Sequence, residues 1–401
     1  MKRVYVAGAA DTKGEEIAFL ARLLRDRGLA VVTVDLGTGT PSIEVDIANR
    51  EVAAFAPDGD ETLALRDRGR AVAGMMRAFE AFLPSRHDLA GVIAVGGGAG
   101  TAMATAGMRA LPLGLPKVMV STLASGDTAP YVGVSDIVMV PSITDIAGLN
   151  RLSRRILTNA AEALAGMVAH PPQDEADKRP ALGLTMFGVT TTCVTAIADA
   201  LRADHDCMVF HATGTGGRAM EKLAVSGMLE GFIDITTTEI CDLLVGGVLA
   251  AAEDRLDVVA STSLPWIGSL GACDMVNFWA PSTIPDKFSG RTFYEHNSNV
   301  TLMRTTKEEC AEIGRWIGTK LSRCEGPVRL LIPEKGVSAI DIEGGPFHDP
   351  EADAALFEAV EAAIAPSANR RVIRLPYHIN DREFSAAAVE EWRRIATGKD
   401  A

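Results

Sequence analysis

The 401-residue sequence has little that would tie it to a membrane, a polyanion or an oxidising compartment. No run approaches the roughly 18 apolar residues that a membrane span needs, so no spanning helix is expected. The opening Met1-Lys2-Arg3-Val4-Tyr5-Val6-Ala7-Gly8 places charge before an apolar run. That run stops at Asp11, too short for a signal peptide, and reads instead as a first strand. Basic residues are in deficit: 39 Lys and Arg against 52 Asp and Glu leave a formal net charge of -13. Duplex nucleic acid and anionic lipid are both polyanions, so neither is an expected partner. The six cysteines, Cys193, Cys207, Cys241, Cys273, Cys310 and Cys324, form no CxxC. Reduced, mostly buried thiols and a cytoplasmic location follow, rather than disulfides or a zinc knot. The chain has no GxxxxGK[ST], HExxH or GxSxG, which removes the P-loop, zincin and α/β-hydrolase signatures.

What is present is a long α/β pattern. The length exceeds what one core usually serves, so two domains are expected. Short apolar runs at Val4–Ala7, Ala30–Leu36, Gly91–Val95, Lys117–Val120 and Ile137–Val140 read as strands. Helical patterns lie at about Gly14–Arg27, Arg70–Leu83 and Ile146–Val168. Continuous apolar strands between helices predict a parallel sheet covered on both faces. The polar, Pro-flanked stretch His170–Pro180 reads as a linker, giving domains 1–170 and 181–401 joined by 171–180. The pattern then restarts with strand Ala181–Phe187, helix Thr192–Ala203 and strand Cys207–His211. Ser121-Thr122-Leu123 is matched by Ser261-Thr262-Ser263-Leu264, and Asp136–Ser142 by Asp274–Ser282, at equal intervals. The expected architecture is two Rossmann-like, doubly wound parallel-sheet domains from an internal repeat. A cleft where the halves meet would suit a small-molecule substrate.

Four segments carry candidate chemistry. The turn Gly96-Gly97-Gly98-Ala99-Gly100-Thr101 joins a buried strand to a helix. Glycines permit positive φ and close backbone approach, and a helix N-terminus adds free donors, so a phosphate is the expected ligand. The alternative is a tight turn that packs helix on strand. Asp11-Thr12-Lys13 follow the first strand, where Lys13 suits a phosphate and Asp11 a metal or a ribose hydroxyl. Thr12 and Glu15 also have capping-box spacing, so a plain helix start competes. Ser121, Thr122 and Asp127 would add hydroxyls and a carboxylate for phosphate or Mg²⁺, or else bond their own turns. Finally, Gly214-Thr215-Gly216-Gly217-Arg218-Ala219 fits GxGxxA, and Asp234 follows Gly214 by about 20 residues, an alternative NAD(P) site. A polar edge at Thr236–Glu239 competes with that reading, and His296 stands in a further polar loop. A non-catalytic interaction protein is the third possibility.

Taken together these strings resemble the ATP-binding inhibitory domain family of the plant tobamovirus-resistance protein and its bacterial relatives. The resemblance rests on Ala10–Glu16, Gly96–Thr101, Pro141–Asn150, Thr236–Glu239 and His296–Arg304, and covers essentially the whole chain. It implies two Rossmann-like subdomains, a homodimer, and ATP with Mg²⁺ in the N-terminal one. It also implies that Asp11, Thr12, Lys13, Gly97, Gly98, Gly100, Thr101, Ser121 and Thr122 shape a nucleotide site. Plant members carry a TIM-barrel domain as well, so a separate TIM-barrel partner protein is expected. The reaction, an ATP-dependent hydrolysis or ligation or none, is not implied.

Overall fold

The computed structural model describes residues 2–59, 61–65, 67–171 and 178–397. The chain divides into two compact units, 1–175 and 176–401. Residues 172–177 of the expected linker lie outside the described residues.

In the first unit, β1 (Arg3–Gly8), β2 (Val31–Asp35), β3 (Leu89–Gly96), β4 (Lys117–Ser121) and β5 (Val138–Pro141) form one sheet in the order β2-β1-β3-β4-β5. All pairings are parallel. Helices α1 (Ala10–Asp26), α2 (Arg68–Phe82), α3 (Gly98–Arg109) and α4 (Arg151–Ala169) cover it. Strand side chains alternate between faces, which explains the continuous apolar runs. Tyr5, Ala7, Val92 and Ala94 pack with Met75 and Phe79 of α2 and Met108 of α3. Val4, Val6, Ile93 and Val95 turn the other way, onto Ile17 and Leu20 of α1 and Leu164 of α4.

The second unit repeats this plan. Strands β6 (Ala181–Met186), β7 (Asp206–His211), β8 (Gly231–Thr236), β9 (Trp266–Gly271), β13 (Val328–Pro333) and β14 (Arg370–Leu375) pair in the order β14-β13-β9-β8-β6-β7. Counted from its own first strand, this is the first unit's order with one strand added. Both have the doubly wound order whose direction reverses between the first and third strands. An antiparallel sheet, β10-β12-β11, built from β10 (Met275–Phe278), β11 (Phe293–Asn297) and β12 (Val300–Arg304), is inserted after β9.

Three expectations are corrected. The duplication lies in strand order, not in the matched strings. Ser121 ends β4, whereas Ser261 lies in the short helix Asp257–Thr262. Asp136–Ser142 contains parallel β5, whereas Asp274–Ser282 contains antiparallel β10. Short small-residue strings follow strands in many places, so they align without being equivalent. Helix α1 begins at Ala10 rather than near Gly14, with a non-helical Lys13 (φ -128°, ψ 24°) inside its first turn. Helix α4 begins at Arg151 rather than Ile146, because the Asn150 side chain accepts from the Leu152 and Ser153 N–H groups and caps it there.

Candidate functional site

The direction of winding reverses between β1 and β3, and the segments leaving these strands cannot fill the gap at their carboxyl ends. There the structure has a pocket of about 410 Å³. The β1 side supplies Ala9, Asp11, Thr12 and Lys13; the β3 side supplies Gly96, Gly97, Gly98, Ala99, Gly100 and Met103. Gly37 and Thr38, after β2, and Arg68 and Val72, on α2, close the remaining walls.

The glycine turn has two jobs, and positive φ is not one of them: none of its glycines is in the left-handed region. A Cβ on Gly96 would lie 2.8 Å from Gly100 Cα, so this pair brings the helix down onto the strand end. A Cβ on Gly97 or Gly98 would meet nothing closer than 3.6 and 3.7 Å. Packing does not require those two glycines, yet both line the pocket. Gly97 caps α3, whose first N–H groups have no carbonyl within the helix to bond. The first turn of α1 faces the same space. Two helix N-termini therefore meet there, with Lys13 and Arg68 as the basic residues. In α1 the Ala10, Thr12 and Lys13 N–H groups are already bonded, to Asp35 Oδ1 and Ala9 O, so the free donors come mainly from α3.

One carboxylate, Asp11, lines the pocket, and a second, Asp35, is buried behind it. Asp11 Oδ2 accepts from the Gly39 N–H at 2.9 Å, while its buried Oδ1 has no partner. Asp35, fully buried at the end of β2, accepts through Oδ1 from Ala10 N–H (2.8 Å) and Gly37 N–H (2.7 Å). Burial pushes its pKa up; those two N–H groups pull it down, and nearby Asp11 pushes it up again. The capping-box alternative is not formed: Ala9 is the N-cap, without a side-chain bond.

The structure brings together Asp11, Thr12, Lys13, Gly96, Gly97, Gly98 and Gly100 from the sequence-derived set. Thr101, Ser121 and Asp127 are held by other bonds, and Thr122 sits beside the turn, its hydroxyl 3.6 Å from a Cβ built on Gly97. Thr101 and Ser121 are fully buried, with hydroxyls 2.6 Å apart, and Ser121 Oγ also accepts from Leu123 N–H. Thr122 bonds through its N–H to Gly96 O, and exposed Asp127 accepts from Ala129 N–H at 3.0 Å. Sequence reasoning missed Asp35, Gly37, Thr38 and Arg68. The first three had a signal, an acid ending a strand before Gly37-Thr38-Gly39; Arg68 had none, because only tertiary folding brings α2 to the pocket.

Comparison with known proteins now bears on the chain. The N-terminal domain model of the uncharacterised protein family UPF0261 matches residues 2–173, and its C-terminal domain model matches 179–396. The chain belongs to this family. A UPF0261 protein of Mesorhizobium japonicum is 66% identical over 96% of this chain and 98% of its own length. The tomato ToMV resistance protein Tm-1(GCR237) is 40% identical over 98% of this chain, which spans 56% of the tomato protein. Among solved structures, a UDP-N-acetylglucosamine 2-epimerase from Rickettsia bellii covers 67% of this chain and 78% of its own. At 10% identity and a TM-score of 0.24, that likeness carries no weight.

In this UPF0261 chain the equivalent edge of the second unit is filled. The cluster Phe187, Ala272, Met275, Leu302 and Phe347 packs at the carboxyl ends of the strands, drawing on the inserted sheet. Thr236, Thr237, Thr238 and Glu239 are all fully buried, and Thr190 and Thr236 join hydroxyls at 2.7 Å. The Gly214 turn likewise serves packing. Arg255, buried, reaches Glu239 Oε1 (2.6 Å), Glu221 Oε1 (2.8 Å) and both Asp234 oxygens (2.8 Å each). Asp234 also accepts from Thr185 Oγ1 and Trp266 Nε1, and Glu239 Oε2 accepts from Gly214 N–H. A Cβ on Gly217 would sit 1.9 Å from Glu239 Oε1. Gly217 leaves room for the ion cluster, whereas Cβ atoms on Gly214 (φ +77°) and Gly216 would meet the carbonyl oxygens of Ala250 at 2.2 Å and His211 at 1.8 Å. Asp234 has no capacity left for a ribose. His296 lies on exposed β11. The six cysteines are free thiols, five of them buried. Among the described residues no helix is long and apolar enough to cross a membrane, and no three His, Cys, Asp or Glu side chains are grouped to hold a metal.

Proposed function

We propose that the first unit binds a nucleotide, ATP with Mg²⁺, with its phosphates at the Gly97–Gly100 turn and the first turn of α1. The observation that carries this reading is the convergence of two helix N-termini, Lys13 and Arg68 on one pocket at the switch of winding. Its volume of about 410 Å³ falls in the range of small-molecule sites. Phosphate is the chemistry that N–H donors, helix dipoles and two cations share. ATP is the member of that class which the family resemblance implies.

Mg²⁺ fits the residues present. It is commonly held by one or two carboxylates together with substrate phosphates, not by a full protein cage. Asp11 lines the pocket and has one buried oxygen without a protein partner. Among the described residues no three His, Cys, Asp or Glu side chains are grouped to hold the ion instead. Bound there, Mg²⁺ would neutralise phosphate charge. Lys13 and Arg68 hold and orient the anion, and Gly97 and Gly98 admit it by having no side chain. The described pocket wall has no His, Cys or Ser, so the reading stops at binding and names no reaction. The test is a thermal-shift and calorimetric panel of ATP, ADP, GTP and NAD⁺ with and without Mg²⁺. ATP with Mg²⁺ should stabilise the first unit, and Lys13→Ala should weaken it at least several-fold. Unchanged affinity removes Lys13 from the site, and silence across the panel favours an interaction protein.

A further inference from the structure

Lys13 reaches the pocket from an unusual position. Its backbone leaves the helical region inside the first turn of α1, and its Nζ donates to the main-chain carbonyl of Ile146. Ile146 belongs to the Ser142–Asn150 segment that follows β5, which no part of the nucleotide reading uses. That segment is fixed at two points. The Ile146 side chain is 2% exposed, within the core cluster that includes Ile17 and Leu20. Two residues on, Gly148 N–H donates to Glu16 Oε1 at 2.8 Å, and Gly148 has φ +82°, a backbone conformation suited to glycine. Glu16 is 1% exposed. A carboxylate is rarely buried unless its hydrogen bonding requires it.

We infer that Glu16 is a positioning residue for the phosphate site: by pinning Gly148 it fixes the Ile146 carbonyl, which holds the Lys13 ammonium at the pocket. This rests on the nucleotide reading above. An ammonium has three donors, so one can stay on the carbonyl while the others meet a phosphate. A free lysine side chain must be immobilised when it binds, and that loss weakens affinity. Here the immobilisation occurs on folding. Glu16 touches no ligand; its effect passes through five residues of α1 and the loop.

The experiment is a double-mutant cycle on ATP-Mg²⁺ affinity, read by calorimetry in the full chain. Glu16→Met keeps the side-chain volume but removes the acceptor; Glu16→Gln keeps an oxygen for Gly148 N–H. Glu16→Met should weaken ATP roughly three- to tenfold, the order expected for re-immobilising one long side chain. Glu16→Gln should stay within about twofold of the parent, since its acceptor remains. In a Lys13→Ala background, Glu16→Met should add nothing. Additive losses, equal losses in the Met and Gln variants, or no loss at all would overturn the relay. If the parent binds ATP and Lys13→Ala weakens it while Glu16→Met does not, only the relay fails. If the parent binds no nucleotide, the site and the relay fail together. Unliganded melting curves confirm that each variant is folded, and the isosteric pair keeps the comparison valid if one is partly destabilised.

Discussion

Two glycines one residue apart, Gly96 and Gly98, should respond in opposite ways to the same added methyl group. Gly98 is the first residue of α3, its φ is not left-handed, and its Cβ would have 3.7 Å of room. Gly98→Ala narrows the unfolded ensemble without straining the native one, a gain of about 0.4–1 kcal/mol. For a unit of this size that is a rise in melting temperature of roughly 2–4 °C per kcal/mol. The methyl would, however, project where a phosphate must approach the N–H groups of α3. Losing one charge-assisted hydrogen bond costs about 1.5–3 kcal/mol, a tenfold to more than hundredfold loss of ATP affinity. Gly96→Ala meets Gly100 Cα at 2.8 Å, with backbone on both sides, and should cost about 1–3 kcal/mol as overpacking does. Urea melts give the stabilities, and calorimetry with ATP-Mg²⁺ gives the affinities. A more stable Gly98→Ala protein that binds ATP as well as the parent would refute the phosphate cradle. A Gly96→Ala protein as stable as the parent would refute the close approach.

Other expectations concern the second unit. Arg255→Met leaves Glu221, Asp234 and Glu239 buried without their cation and should cost about 3–5 kcal/mol, a large part of a domain's stability. Its urea midpoint should fall well below the parent's; a midpoint near the parent's would remove the cluster from the account. Stability of the parent should itself fall as pH rises from about 5 towards 9. Burial raises Asp242 and Asp274 to about 7 and Asp353 to about 8, so the folded state holds protons that the unfolded chain has released. The slope is therefore negative across that window, and a melting temperature that climbs from pH 6 to 8.5 would contradict it.

Why two similar glycine-rich strings stand in such different surroundings is a question of range. In the first unit, the apolar strands, the glycine turn and Lys13 are local features, and all of the pocket except Arg68 and Val72 of α2 comes from segments that end or follow a strand or open the next helix. The sequence string carries the relevant physics there. At Gly214 the string is equally glycine-rich, but its causes are the chain's own atoms. The carbonyls of Ala250 and His211 crowd Gly214 and Gly216, and the Glu221, Asp234, Glu239 and Arg255 cluster, visible only after folding, crowds Gly217. Glycine marks close approach without saying whether a ligand or a side chain makes it. The space a Cβ would have shows where the chain itself makes the approach. At Gly217 the nearest atom is the chain's own carboxylate at 1.9 Å, and at Gly97 it is a hydroxyl at 3.6 Å, with open pocket beside it. A duplicated fold provides two crevices at the switch of winding. Here the inserted sheet β10-β12-β11 and the Phe187–Phe347 cluster pack at the second. Thr101 and Ser121 follow the same logic within the first unit: small hydroxyls after a strand look like phosphate ligands, but each satisfies the other 2.6 Å away in the core. What distinguishes Asp11 from them is that its residue lines the pocket and one of its oxygens, though buried, meets no protein donor.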